Sequence, residues 1–102
     1  MSSASTIITM ASDELQALWA QIEADLRRAR SFLPADADSD PVVREYQEFL
    51  EHNELELACD MLEQYAEERP MGPAFWLALR DAAAKMSLQE RASEYEAQAH
   101  RG

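Results

Sequence analysis

The residues of this chain with chemistry to offer are carboxylates, one thiol and two histidines. Glu56, Asp60, Glu63 and Glu67 fall at i, i+4, i+7 and i+11, the spacing that puts all of them on one face of a helix. Residues 45–68 hold nine carboxylates and no Lys or Arg. Such a row binds a divalent cation only if its oxygens converge, and a regular helix spreads them along its axis. What the row does well is attract a basic surface. Folding alone accounts for it poorly. Like charges at i and i+4 cost roughly 0.2–0.5 kcal/mol per pair. Glu63, Glu67 and Glu68 also sit toward the negative end of the helix dipole. The stripe reads as a surface for a basic partner, as a solvated face, or as a face paired with Arg27, Arg28 and Arg30.

Cys59 acts as a nucleophile only beside a positioned base. Its place on an apolar helix face marks it as a small buried hydrophobe. His52 falls at a helix end, where a cation is favoured. Cys59, His52 and His100 lack the short pairwise spacings of a zinc site. Two glycines are too few for a phosphate-cradling loop. With no nucleophile–base pair and no metal set, the expectation is a non-enzymatic chain with no catalytic residues, no cofactor and no metal. Trp19, Tyr46, Phe49, Tyr65, Phe75 and Trp76 recur at core spacings. Phe75 and Trp76 are adjacent, hence about 100° apart on a helix, which leaves one of them partly exposed as a possible interface anchor. The candidate partner-binding residues are therefore Glu56, Asp60, Glu63, Glu67, Phe75 and Trp76.

Helices must position these groups. Residues 1–11 read as a Ser/Thr-rich flexible leader, with Met10 an alternative start to Met1. Ser12 caps a first helix whose Leu15, Leu18, Trp19, Ile22, Leu26, Ala29 and Leu33 form one apolar stripe ended by Pro34. Asp40-Pro41 reads as N-cap and first position of a second helix, closed by a left-handed Asn53. A third helix covers residues 54–68, with Leu55, Ala58, Cys59, Leu62 and Ala66 inward and Tyr65 at the edge. Pro70, Gly72 and Pro73 break the chain before a fourth helix over residues 74–86. Ser87 to Glu90 has the capping-box pattern for a fifth. The expected fold is all-α: one compact bundle of four to five antiparallel helices over residues 12–102. Its core is expected to include Leu18, Trp19, Ile22, Leu26, Phe49, Leu50, Leu55, Leu62 and Leu79.

The bulk properties agree. The chain has 102 residues, enough for one domain, and few Gly, Pro, Val or Ile to disturb helices. A net charge of −11 repels nucleic acid and anionic membranes and attracts basic proteins. A single cysteine and the lack of a signal-like start or a spanning apolar run point to the cytoplasm.

Residues 42–88 resemble the MafI-like immunity proteins, small helical proteins of bacterial polymorphic toxin systems. The resemblance rests on Tyr46-x-x-Phe49-Leu50-Glu51-His52-Asn53-Glu54, on Leu57-Ala58-x-x-Met61-Leu62 and on Tyr65, with a Pro-containing break and a closing helix after them. It departs at Leu55-Glu56. It implies a cytosolic inhibitor that binds and neutralises a cognate toxin, and the acidic surface suits a basic, nucleic-acid-cleaving one. The alternative is a helical adaptor or chaperone-like subunit whose groove takes a partner helix. Its two helical hairpins invite comparison with tetratricopeptide repeats, although they share no self-similarity at the repeat's period of about 34 residues.

Overall fold

The computed structural model describes residues 12–101, which form five α-helices, one short 3-10 segment and no strand. The leader, the choice of start and Gly102 lie outside the described residues. Helix α1 is Ser12–Arg30, and the 3-10 segment is Ala35–Ser39. Then follow α2 Pro41–Glu51, α3 Leu55–Glu67, α4 Pro73–Lys85 and α5 Gln89–Arg101. The all-α bundle is as expected.

Local chemistry sets the ends. Leu33 precedes a proline and is steered away from helical backbone. The chain accordingly leaves α1 at Arg30 through i→i−3 turns, Phe32 N–H to the Ala29 carbonyl and Leu33 N–H to the Arg30 carbonyl. Asp40 Oδ1 accepts from the Val42 N–H at 2.9 Å, with Pro41 at the first position of α2. Asn53 then takes φ 60°; its N–H bonds the Leu50 carbonyl and the Glu54 N–H the Phe49 carbonyl. Those two bonds satisfy the last carbonyls of α2 and turn the chain into α3.

The same corner recurs after α4, with one correction to the expectation. Ser87 does not cap α5. It adopts φ 64°, its N–H bonds the Ala84 carbonyl, and the Leu88 N–H bonds the Ala83 carbonyl. Ser87 therefore closes α4, and α5 starts from Leu88, whose carbonyl receives the Ala92 N–H. The backbone carbonyls of α4 claim this corner, so the capping-box pattern goes unused.

Helix α4 is central. It packs against α1, α5 and, more lightly, α3, while α2 pairs with α3. Ala78, Ala82 and Ala83 are fully buried on it and let its neighbours approach closely. Ile22, Leu26 and Ala29 of α1, and Leu33 just beyond it, are buried against this layer with Leu50, Leu55, Leu62 and Leu79. Phe49 is half-buried against the core. Helices α1 and α4 run antiparallel, joined by Lys85 Nζ to Asp25 at 2.6 Å and Arg28 to Asp81 at 2.9 Å. Asp25 is the buried acid of the fold, and Arg28 also reaches it at 3.1 Å.

That pairing explains a second correction. Trp19 is 39% exposed and is not a core residue; Leu15 is 38% exposed and Leu18 only half-buried. Helix α4 ends at Lys85, level with Asp25 on α1. The first half of α1 runs past that end and has no central helix beneath it.

Candidate functional site

The acidic face of α3 is met by α5. Arg91 lies one turn into α5 and reaches across to three of the four stripe carboxylates. It pairs with Asp60, with Glu63 at 3.3 Å and with Glu56 at 3.8 Å. Tyr95, one turn further, supports it. Its hydroxyl accepts from Arg91 Nη2 at 3.1 Å and donates to Glu63 Oε1 at 2.6 Å. Burial, followed by Cys59 and Glu63, holds the Tyr95 pKa far above the ordinary phenol range, so the phenol stays protonated and a donor to the carboxylate.

The partner cation is thus Arg91 and not the arginines of α1. Arg27 pairs with Glu23, Arg28 with Asp25 and Asp81, and Arg30 with Asp38. Sequence reasoning missed Arg91. Its one signal was the spacing of Arg91 and Tyr95, which puts a cation and a phenol on one face of α5. Only the folded arrangement shows that this face lies over α3.

Glu67 is outside the reach of Arg91 and makes no ion pair among the described residues. With Glu63 and Ala66 it forms the α3 side of a notch of about 300 Å³. Glu94, Tyr95 and Gln98 form the α5 side, and Trp76 contributes to the lining. The structure so brings Glu63, Glu67 and Trp76 together, whereas Glu56 and Asp60 lie nearer the other end of the stripe. Phe75 is fully buried, edge-on to Trp76 with ring centroids 5.2 Å apart, and belongs to the core. Trp76, 8% exposed, is buried as well, so neither ring is the partly exposed anchor their adjacency suggested: α5 covers the side of α4 that carries Trp76, with Tyr95 5.8 Å from its ring.

The other candidate groups have structural surroundings. Cys59 is buried with its sulfur 3.7 Å from the Tyr95 hydroxyl, and burial pushes the thiol up to about 11. A thiol that stays protonated at neutral pH is a poor nucleophile. His52 Nδ1 lies 2.8 Å from the Glu48 carbonyl at the end of α2. Among the described residues no group of three or more His, Cys, Asp or Glu is placed to hold a metal ion. No helix among them is long and apolar enough to cross a membrane. Compared with family models, with curated proteins and with solved structures, the chain matches none.

Proposed function

We propose that the protein is a non-enzymatic, acidic protein-binding module that neutralises a basic protein partner, in the manner of a bacterial immunity protein acting on a toxin. The observation that carries this is the notch between α3 and α5. Arg91 compensates Glu63, but Glu67 and Glu94 border the notch without a cation among the described residues. A lysine or arginine of the partner entering there meets two carboxylates, with Trp76 in the lining. Water is excluded from only one side, so the gain lies chiefly in association rate and orientation. Neutralisation would follow from occlusion, the module covering a basic active surface that otherwise binds phosphates.

The test is binding to the product of the neighbouring reading frame, with Glu67→Lys and Glu94→Lys combined. Both side chains are exposed. Lysine at 67 suits the C-terminal end of α3, and lysine at 94 faces Glu90 at i−4, so the variant stays folded. Slower association and lost salt dependence support the proposal. Unchanged affinity in a folded variant overturns it.

A further inference from the structure

A second surface lies at the other end of α3. The free half of α1, the start of α3 and the end of α4 enclose an open groove of about 540 Å³. Leu18, Trp19, Ile22, Leu55, Leu57 and Met86 give it an apolar lining. Leu57 is 41% exposed, a large aliphatic side chain on a helix otherwise rich in acids. Leu15 continues the patch one turn before Trp19. Among the described residues, three of the four exposed large hydrophobics thus gather at this end of the molecule, with Phe32 at the other. Scattered apolar residues on a surface need no account, but a contiguous patch around a concave site does.

We infer that this groove docks an amphipathic helix with a basic outer face, carried by a protein partner. Helices and the two corners that join them line the groove, so there is no sheet edge to which an extended strand could be added. What remains is the helix-in-groove mode, with apolar anchors at i, i+3, i+4 and i+7. The charge follows from the rim. Glu54 and Glu56 border the groove, and Arg91 reaches Glu56 only at 3.8 Å, while the one cation in the lining, Lys85, is held by Asp25 at 2.6 Å. A second copy of the chain is disfavoured as occupant, since each copy carries −11. The inference shares with the proposed function only the basic character of the partner. The apolar groove is a separate observation at a separate place.

The experiment uses the full chain and a synthetic Leu/Lys helix of about 18 residues, with leucines at those four-spaced positions and lysines elsewhere. Its scrambled isomer serves as control. The Leu57→Asp variant is decisive, because it removes an apolar contact while making the groove more negative. Expected is saturable binding of the helix, reported by calorimetry and by a shift in Trp19 fluorescence. Leu57→Asp and the scrambled isomer should each weaken it by roughly tenfold or more, with the melting temperature of the variant unchanged. The combined Glu67→Lys and Glu94→Lys variant should bind the helix as the parent does, so that failure of the notch and failure of the groove are told apart. Equal binding by the Leu57→Asp variant, or by the scrambled isomer, overturns the inference. So does a concentration-dependent dimer abolished by Leu57→Asp, which would give the groove to a second copy. Tighter helix binding after removal of residues 1–11 would assign it to the chain's own leader and overturn the inference equally.

Discussion

The Tyr95 hydroxyl donates a 2.6 Å hydrogen bond to Glu63 while accepting one from Arg91 at 3.1 Å. It thereby ties the cation of α5 to the acidic face of α3 through one phenol. Helices α3 and α5 share little backbone contact, so this side-chain bridge is a main link between the two hairpins on that side.

Arg91→Ala should therefore destabilise the fold, by about 2–3 kcal/mol, the range for losing charge-assisted hydrogen bonds from a partly buried site. Arg91→Lys should recover only part, because an ammonium cannot present the guanidinium fork. Asp60→Lys with Glu63→Lys should also lose stability, since it sets two new cations against Arg91. Urea melts of the three variants check this. A parent-like midpoint for Arg91→Ala would reduce the bridge to a surface ion pair of little weight.

Trp19→Ala should cost about 1 kcal/mol or less, because the indole is largely outside the core. Phe75→Ala, at a fully buried ring, should cost about 3–5 kcal/mol. Thermal unfolding of the pair measures the contrast. Equal losses would place Trp19 in a packed environment after all.

Ser87 and Asn53 both hold left-handed backbone, and serine is the worse suited of the two. Ser87→Gly should stabilise by about 0.4–1 kcal/mol, and Asn53→Gly by less. Ser87→Val should destabilise, as a β-branched side chain is strained there. A fall in stability for Ser87→Gly would show that the serine hydroxyl contributes more than the backbone strain removes.

Alkaline pH should unfold the protein early. Burial pushes the Cys59 thiol up to about 11 from the ordinary 9.0, and the Tyr46 hydroxyl up to about 12 from 10.0. The unfolded chain releases these protons first, so between those values the native state binds more protons. Their contribution to stability is complete below about pH 9 and is lost as pH rises through about 11 and 12. Melting temperatures across that window should fall less steeply for Cys59→Ala with Tyr46→Phe than for the parent. At neutral pH, Tyr46→Phe should cost nothing, since the buried hydroxyl has no partner among the described residues. An unchanged alkaline slope in the double variant would count against both groups.

Much of this fold could be read along the chain. Asp40-Pro41 and Asn53 behave as their residue types require, because a cap and a left-handed turn are decided by neighbours within a few residues. The stripe from Ile22 to Leu33 is buried for the same kind of reason. The first half of that stripe failed at Trp19, since periodicity marks an apolar face but not whether a neighbouring helix is long enough to cover it. Ser87 failed because two local motifs competed for one residue and α4's carbonyls won. The acidic face was recognisable, but its cation was not. Arg91 lies 31 residues from Asp60, and only the packing of α5 over α3 brings them together.

The partnership of Asp25 with Lys85 has a consequence during synthesis. The two residues are 60 positions apart, while the α2–α3 and α4–α5 hairpins close over short turns. At about 5–20 residues per second, α1 waits roughly 3–12 s on the ribosome before α4 has been made. In that interval Ile22, Leu26, Ala29 and Leu33 lack the larger part of their cover, which α4 supplies. Helix α1 therefore completes its packing only once α4 is present, and the nascent chain offers chaperones this apolar strip until α4 arrives.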